Sequence, residues 1–249
     1  MTHQTTSKAL PPLVLLHGGR HGGWCWRRVA LRLRAAGHEV YTPTLTGLGD
    51  RAHLLSRDIG LDTHVQDLVA TFEFEDIEDA VLVAHSYGGV VATGAMEQLA
   101  PRVRRLVYLD AQIPRTGESV FGMVGPERTA VMEAMVEKDG DGWFVPPSDA
   151  RMYGVTDPDD IEWANRRITA QPVKTYRDAA GPTEQAWRHP GMFIECTPSR
   201  IEENILTRAR ERSATDPTFG YRILGAPHNA MVTHPDVLAA LLLDPEVIG

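Results

Sequence analysis

Cysteine is scarce in this 249-residue chain, with Cys25 and Cys196 the only two. Two cysteines make no disulfide framework, and the expectation is a reducing, cytoplasmic compartment. Long apolar runs are missing as well. None approaches the roughly 18 residues that suggest a membrane span, and residues 1–8 lack the basic-then-apolar pattern of a signal peptide. Positive charge is in deficit: 25 Lys and Arg stand against 33 Asp and Glu, a net −8. That balance repels phosphate, so neither nucleic acid nor an anionic membrane is an expected partner. No His, Cys, Asp or Glu cluster has metal-ligand spacing, and Gly18-Gly19 and Gly22-Gly23 lack a P-loop lysine at the required offset. No metal and no cofactor are expected. Internal repeats and low-complexity segments are absent too. An apolar share of 43% and a charged share of 23% then describe a soluble globular chain of one domain, with room for a large insertion.

What is present centres on Val81-Leu82-Val83-Ala84-His85-Ser86-Tyr87-Gly88-Gly89-Val90-Val91. An apolar, β-branched run ends at Ala84, and residues 90–99 carry a helical pattern. Between them lies a G-x-S-x-G nucleophile elbow with Ala84 in place of the first glycine. A sharp strand-to-helix turn strains the central residue and projects its side chain. Small residues two before and two after avoid a clash, as Ala84 and Gly88 do. The following helix aims backbone N–H groups and the positive end of its dipole at Ser86, where an oxyanion would form. The plainer alternative is a glycine-rich turn in any parallel α/β protein.

Strand-like runs at 13–16, 38–43, 80–84 and 103–110 alternate with helical patterns at 24–36, 62–74 and 90–99, with Asp62-Thr63 read as a helix cap. Such alternation predicts an α/β fold with a mainly parallel, doubly wound sheet. It breaks after Asp110. About eighty residues pass before the next strand, 192–196, and they hold Phe121, Met123, Trp143, Met152 and Trp163 among prolines and short helical stretches at 127–137 and 157–168. A linker would be poor in aromatics. Residues 111–190 are therefore an inserted helical cap on a core of 1–110 and 191–249. Its apolar side chains either bury one another or line a pocket over the serine. Beyond 200 the rhythm resumes, with a helix at 201–212, a strand at 221–224, a loop at 225–229 and a last helix opening at His234-Pro235.

A serine hydroxyl needs a general base within hydrogen-bond reach. Of ten histidines, His228 is best placed, in the loop after the last strand, because such loops gather at the carboxyl edge of a parallel sheet. His17 and His85 flank glycine loops and fit loop hydrogen bonding. His53, His64, His189 and His234 read as surface or capping residues.

The elbow, the His17-Gly18-Gly19 loop, His21-Gly22-Gly23-Trp24, Gly37-His38-Glu39-Val40 and the late histidine together resemble an α/β-hydrolase. The likeness is to the compact, cap-bearing esterases that include plant methylesterases and hydroxynitrile lyases. It implies Ser86 as nucleophile, His228 as base and an oxyanion hole from the backbone N–H groups of Gly19 and Tyr87. Gly18 of the oxyanion loop and Phe121, Met123, Trp143, Met152 and Trp163 of the aromatic- and methionine-rich cap are the candidate substrate contacts. The acid departs from the pattern. In the plant relatives it follows the strand ending in a Cys-Thr pair, whereas here Glu195-Cys196-Thr197-Pro198-Ser199 puts a serine there. A serine holds no charge against an imidazolium. Asp110, at the same sheet edge, is preferred over Glu195 and Glu202. Otherwise Asp110 caps the insertion and the site is a dyad.

A serine nucleophile argues against dehalogenation and epoxide hydrolysis. Gly18 and Asn229 stand where the hydroxynitrile lyases carry threonine and lysine. The expected activity is therefore carboxylesterase hydrolysis of small to medium apolar or aromatic esters, methyl esters among them. A rival from another class is a ligand-binding or non-hydrolytic protein, lyase or cyclase in type, on the same fold. Oligomeric state, homodimer included, is not legible.

Overall fold

The computed structural model describes residues 10–249; residues 1–8, read above for a leader pattern, lie outside them. Strands and helices alternate as β1 (Leu13–Leu16), α1 (Arg27–Ala35), β2 (Val40–Tyr41), α2 (Leu61–Phe74), β3 (Ala80–His85), α3 (Gly88–Leu99) and β4 (Val103–Leu109). The interval to residue 190 holds α4 (Val120–Asp139), β5 (Phe144–Val145), α5 (Pro158–Asn165), β6 (Gln171–Pro172), α6 (Lys174–Arg177) and α7 (Glu184–Arg188), with β5 and β6 paired antiparallel. Then follow β7 (Gly191–Cys196), α8 (Glu203–Thr215), β8 (Phe219–Leu224), α9 (Ala230–Thr233), α10 (Pro235–Leu242) and α11 (Pro245–Ile248).

Six strands form one parallel sheet in the order β2-β1-β3-β4-β7-β8. The chain moves outward from β1 to β2 and crosses back to β3, so the order reverses between β1 and β3, where α/β sheets bind ligands. Leu16 pairs with Ala84, Ala84 with Tyr108 and Leu109 with Ile194. The loops leaving β1, β3, β4 and β7 therefore emerge side by side.

Period-two alternation explains the two-sided core. Leu13, Leu15, Val81 and Val83 pack with Trp26, Leu33 and Leu238 on one face. Val14, Leu16, Leu82 and Ala84 pack with Leu68, Phe72, Val91 and Met96 on the other. Strands covered on both faces read as unbroken apolar runs, and each fully buried leucine contributes about 1.5–3 kcal/mol relative to exposure.

Several local expectations change. The strand read at 38–43 is only Val40–Tyr41, and a 3-10 segment, Gly49–Leu54, interrupts the loop that follows. Asp62-Thr63 lies within the first turn of α2 and not ahead of it, and Thr63 Oγ1 accepts the Gly60 N–H at 3.4 Å as part of the cap. The N-cap is Gly60, and the Asp178 carboxylate, far along the chain, accepts the Leu61 N–H at 3.0 Å. The helical pattern at 127–137 is the second half of α4, which begins at Val120 with Ser119 as cap and kinks at Gly125, where φ is 81°, just before Pro126. The cap also has a small core of its own, with Ala150, Tyr153, Val155, Ile161, Ala164 and Ile168.

Candidate active site

Ser86 sits between β3 and α3 with φ of 53°, a left-handed conformation that a non-glycine residue keeps only where its surroundings enforce it. The surroundings are specific. Its N–H donates to Leu109 O at 3.3 Å, and its carbonyl accepts from Gly89 N at 3.0 Å and Gln112 N at 3.1 Å. A Cβ on Gly88 would lie 2.6 Å from His17 O, and one on Gly18 would lie 2.8 Å from Ser86 Cβ. Both glycines are required by close approach.

Asp110 follows β4 and is fully buried. Its Oδ2 accepts the His228 Nδ1–H at 2.5 Å and the Arg200 N–H at 3.2 Å. Its Oδ1 accepts the Ser199 hydroxyl at 2.5 Å and the Cys196 N–H at 3.3 Å. A buried carboxylate with this many donors is satisfied rather than stranded. Ser199, at the position where the acid was missed, donates to the carboxylate reaching in from the neighbouring strand. The competing acids are engaged elsewhere: Glu195 with Arg210 and Tyr221, Glu202 with Arg128. With Nδ1 donating to Asp110, Nε2 is the ring nitrogen left to accept a proton. Ser86 and His228 border one cavity.

Buried histidines hold the β1 loop. His17 Nδ1–H donates to Gly18 O at 2.8 Å, while its Nε2 accepts the Leu45 N–H at 3.1 Å. A trans peptide directs its N–H opposite its C=O, so anchoring Gly18 O turns the Gly19 N–H away from His17. His21 Nδ1–H donates to Gly19 O at 2.8 Å, and its Nε2 accepts from Asn229 Nδ2 at 3.0 Å. His85 Nε2–H donates to His228 O at 2.9 Å. Burial pushes His17 down to about 4, His21 down to about 3 and His85 well below the usual histidine range. All three are neutral at pH 7 and act as fixed dipoles.

His64 is not the surface residue its context suggests. It is fully buried, its Nε2–H donates to Thr46 O at 3.0 Å, and its Nδ1 accepts the Tyr87 hydroxyl at 2.8 Å. Burial lowers it to about 4. The Tyr87 ring is thus tied at its far end, and Tyr87 borders the cavity with Gly19. No sequence signal marks His64, because its partners lie on other elements.

The cavity encloses about 80 Å3. From the cap, Val120, Val124 and Met132 of α4 reach it with Tyr153 and Tyr176. The six cap and loop residues expected to contact substrate do not line it. Gly18 lies beneath Ser86, and Met123 is core. Phe121 stacks behind Tyr176, with ring centroids 6.0 Å apart. Trp143 packs on Phe144 and Arg57, Met152 is exposed, and Trp163 is clamped by Trp24, Arg28 and Arg167. The lining is also less apolar than expected, since Arg20, Arg128 and Arg200 all reach it. Among the described residues no group of three or more His, Cys, Asp or Glu could hold a metal ion, and no helix is long and apolar enough to cross a membrane.

Residues 13–241, which span the sheet, the elbow and the cap, match the alpha/beta hydrolase family. The chain belongs to that family. It is 41% identical over 170 residues to a carbendazim hydrolyzing esterase of Nocardioides sp., covering 66% of this chain and 70% of that relative. It is 33% identical to methylesterase 10 of Arabidopsis thaliana, over 97% of this chain and 94% of the relative. In fold it resembles an extracellular α/β-hydrolase of a Paenibacillus species described as sharing homology with tobacco salicylic acid binding protein 2. There the TM-score is 0.78 at 20% identity, over 93% of this chain and 97% of the other.

Proposed function

We propose that this α/β-hydrolase is a serine carboxylesterase whose triad is Ser86, His228 and Asp110. The observation that carries the proposal is the buried 2.5 Å contact from His228 Nδ1 to Asp110, at a cavity that Ser86 shares. Ser86 Oγ attacks the ester carbonyl carbon while its proton passes to His228 Nε2, and the carbonyl electron pair moves onto oxygen. The N–H groups of Gly19 and Tyr87 receive that oxyanion, a role supported by the anchored Gly18 carbonyl. Collapse breaks the ester C–O bond, and His228 returns the proton to the departing alcohol. Water, deprotonated by the same ring, then releases the acid and regenerates Ser86. Asp110 accepts the Nδ1–H and stabilises the imidazolium at each step.

Relatives named as methylesterases support a small alcohol, methanol among them, as leaving group. The non-hydrolytic reading rested on a missing acid, and Asp110 supplies one. The test is p-nitrophenyl butyrate turnover by the native protein and by Ser86→Ala, with mass-spectrometric detection of a fluorophosphonate adduct. Turnover and an adduct on Ser86, both lost in the variant, are expected. Hydrolysis that survives Ser86→Ala overturns the assignment.

A further inference from the structure

The protein carries a net charge of −8, yet the cavity beside Ser86 is lined by three arginines and by no aspartate or glutamate. Arg128 is paired with Glu202. Arg20 and Arg200 have no carboxylate in ion-pair contact among the described residues. Arg20 is half-buried and Arg200 exposed, and a partly desolvated guanidinium without a counter-ion gains from a ligand anion.

Arg20 is also held in place in an unusual way. It directly follows Gly19 and has φ of 63°, a strained conformation for a residue with a side chain. The cap holds its backbone on both sides: its N–H donates to Gln171 Oε1 at 2.7 Å, and its carbonyl accepts from Thr169 N at 2.9 Å. The guanidinium lies 5.7 Å from the Tyr153 ring centre, reaches Pro146 O at 3.5 Å and lies beside the Tyr176 hydroxyl. Its Nε is buried and has no partner. In a cavity lined by arginines and by no carboxylate, this guanidinium fits a planar oxyanion, since guanidinium matches a carboxylate in two-point geometry. Arg200 approaches from the β7–α8 loop, whose backbone N–H already donates to Asp110, so this arginine is fixed relative to the triad.

We infer that the substrates of this site are esters that carry a free carboxylate elsewhere in the molecule, seated on Arg20 and Arg200 while Ser86 attacks the ester. The inference rests on the esterase reading for the attack itself, but the anion site can be tested without turnover.

The experiment compares mono-p-nitrophenyl glutarate with p-nitrophenyl hexanoate, a neutral ester of the same reach, through the ratio of their kcat/KM values. Two charge-assisted contacts predict a ratio of about 10 or more in favour of the glutarate at low salt. Raising NaCl to about 0.5 M shrinks the ratio in the native protein with no substitution needed. Arg20→Gln and Arg200→Gln each lower the ratio by about threefold or more, and Arg20→Lys restores part of it. A native ratio near one, or a ratio that neither arginine substitution moves, overturns the inference and leaves the esterase reading standing. Calorimetric titration of Ser86→Ala with monomethyl and dimethyl glutarate provides the separate arm. If the native protein hydrolyses neither nitrophenyl ester, Arg20-dependent preference for the monomethyl form still supports the anion site while the esterase reading fails. Equal binding of the two overturns the anion site.

Discussion

A carboxylate can serve a catalytic histidine from either of two adjacent strands, because what matters is the contact with Nδ1 and not the chain position of the acid. Here Asp110 comes from the end of β4, and Ser199, beyond β7, donates to it at 2.5 Å. Ser199→Ala removes a hydrogen bond to a buried charged group and is expected to cost about 1.5–3 kcal/mol of stability, read by urea unfolding. No change in the unfolding midpoint would mean that this contact is not made. His17 acts at one remove, by holding the Gly18–Gly19 peptide. His17→Gln is expected to lower kcat by about 10- to 100-fold with a smaller change in KM, since a misdirected Gly19 N–H weakens the transition state more than the ground state. A rise in KM with kcat intact would assign His17 to substrate binding instead.

At the level of elements, the elbow depends on α3 approaching the end of β1 at backbone distance. Gly88→Ala places a Cβ 2.6 Å from His17 O. Relief requires moving the helix start, so a loss of about 1–3 kcal/mol and most of the activity is expected, measured by thermal unfolding and ester turnover. Wild-type behaviour would contradict the close packing. The β3–α3 turn is legible in the sequence because its constraints are local: an apolar run, a serine, and small residues two places to either side. Ser86, the His228 loop and the strand ending before Asp110 follow from that logic and from strand alternation. The α2 cap is legible only in part: Thr63 accepts the Gly60 N–H, whereas Asp178 accepts the Leu61 N–H from 117 residues away. The buried role of His64 depends likewise on Thr46 and Tyr87. Cap side chains resist reading for a related reason. Phe121 and Tyr176 are both aromatic, yet Tyr176 reaches the cavity and Phe121 stacks behind it.

Across the whole molecule, four buried neutral histidines couple stability to pH. His17 and His64 titrate near 4 in the folded protein, His21 near 3 and His85 lower than the usual range, all because burial disfavours the charged ring. The unfolded chain protonates these rings near 6.5, so it binds more protons than the folded protein below that pH. Stability is therefore complete above about 6.5 and falls as pH drops toward 4, by up to about 1.4 kcal/mol per pH unit for each ring. Urea midpoints between pH 7 and 5 check this, above the range where most carboxylates titrate. His64→Gln is expected to flatten the slope by about one proton, and a flat profile in the native protein would contradict the buried cluster.

The central claim is that the acid has moved to Asp110, and Asp110→Asn tests it most directly. An asparagine keeps the shape but removes the charge and favours the wrong imidazole tautomer, an exchange that in serine hydrolases costs about 10000-fold in turnover. With p-nitrophenyl acetate, kcat for Asp110→Asn is expected to fall by roughly that factor, while Glu195→Gln, whose carboxylate is bound to Arg210 and Tyr221, stays near native. Near-native turnover by Asp110→Asn, or a collapse in Glu195→Gln instead, would contradict the account.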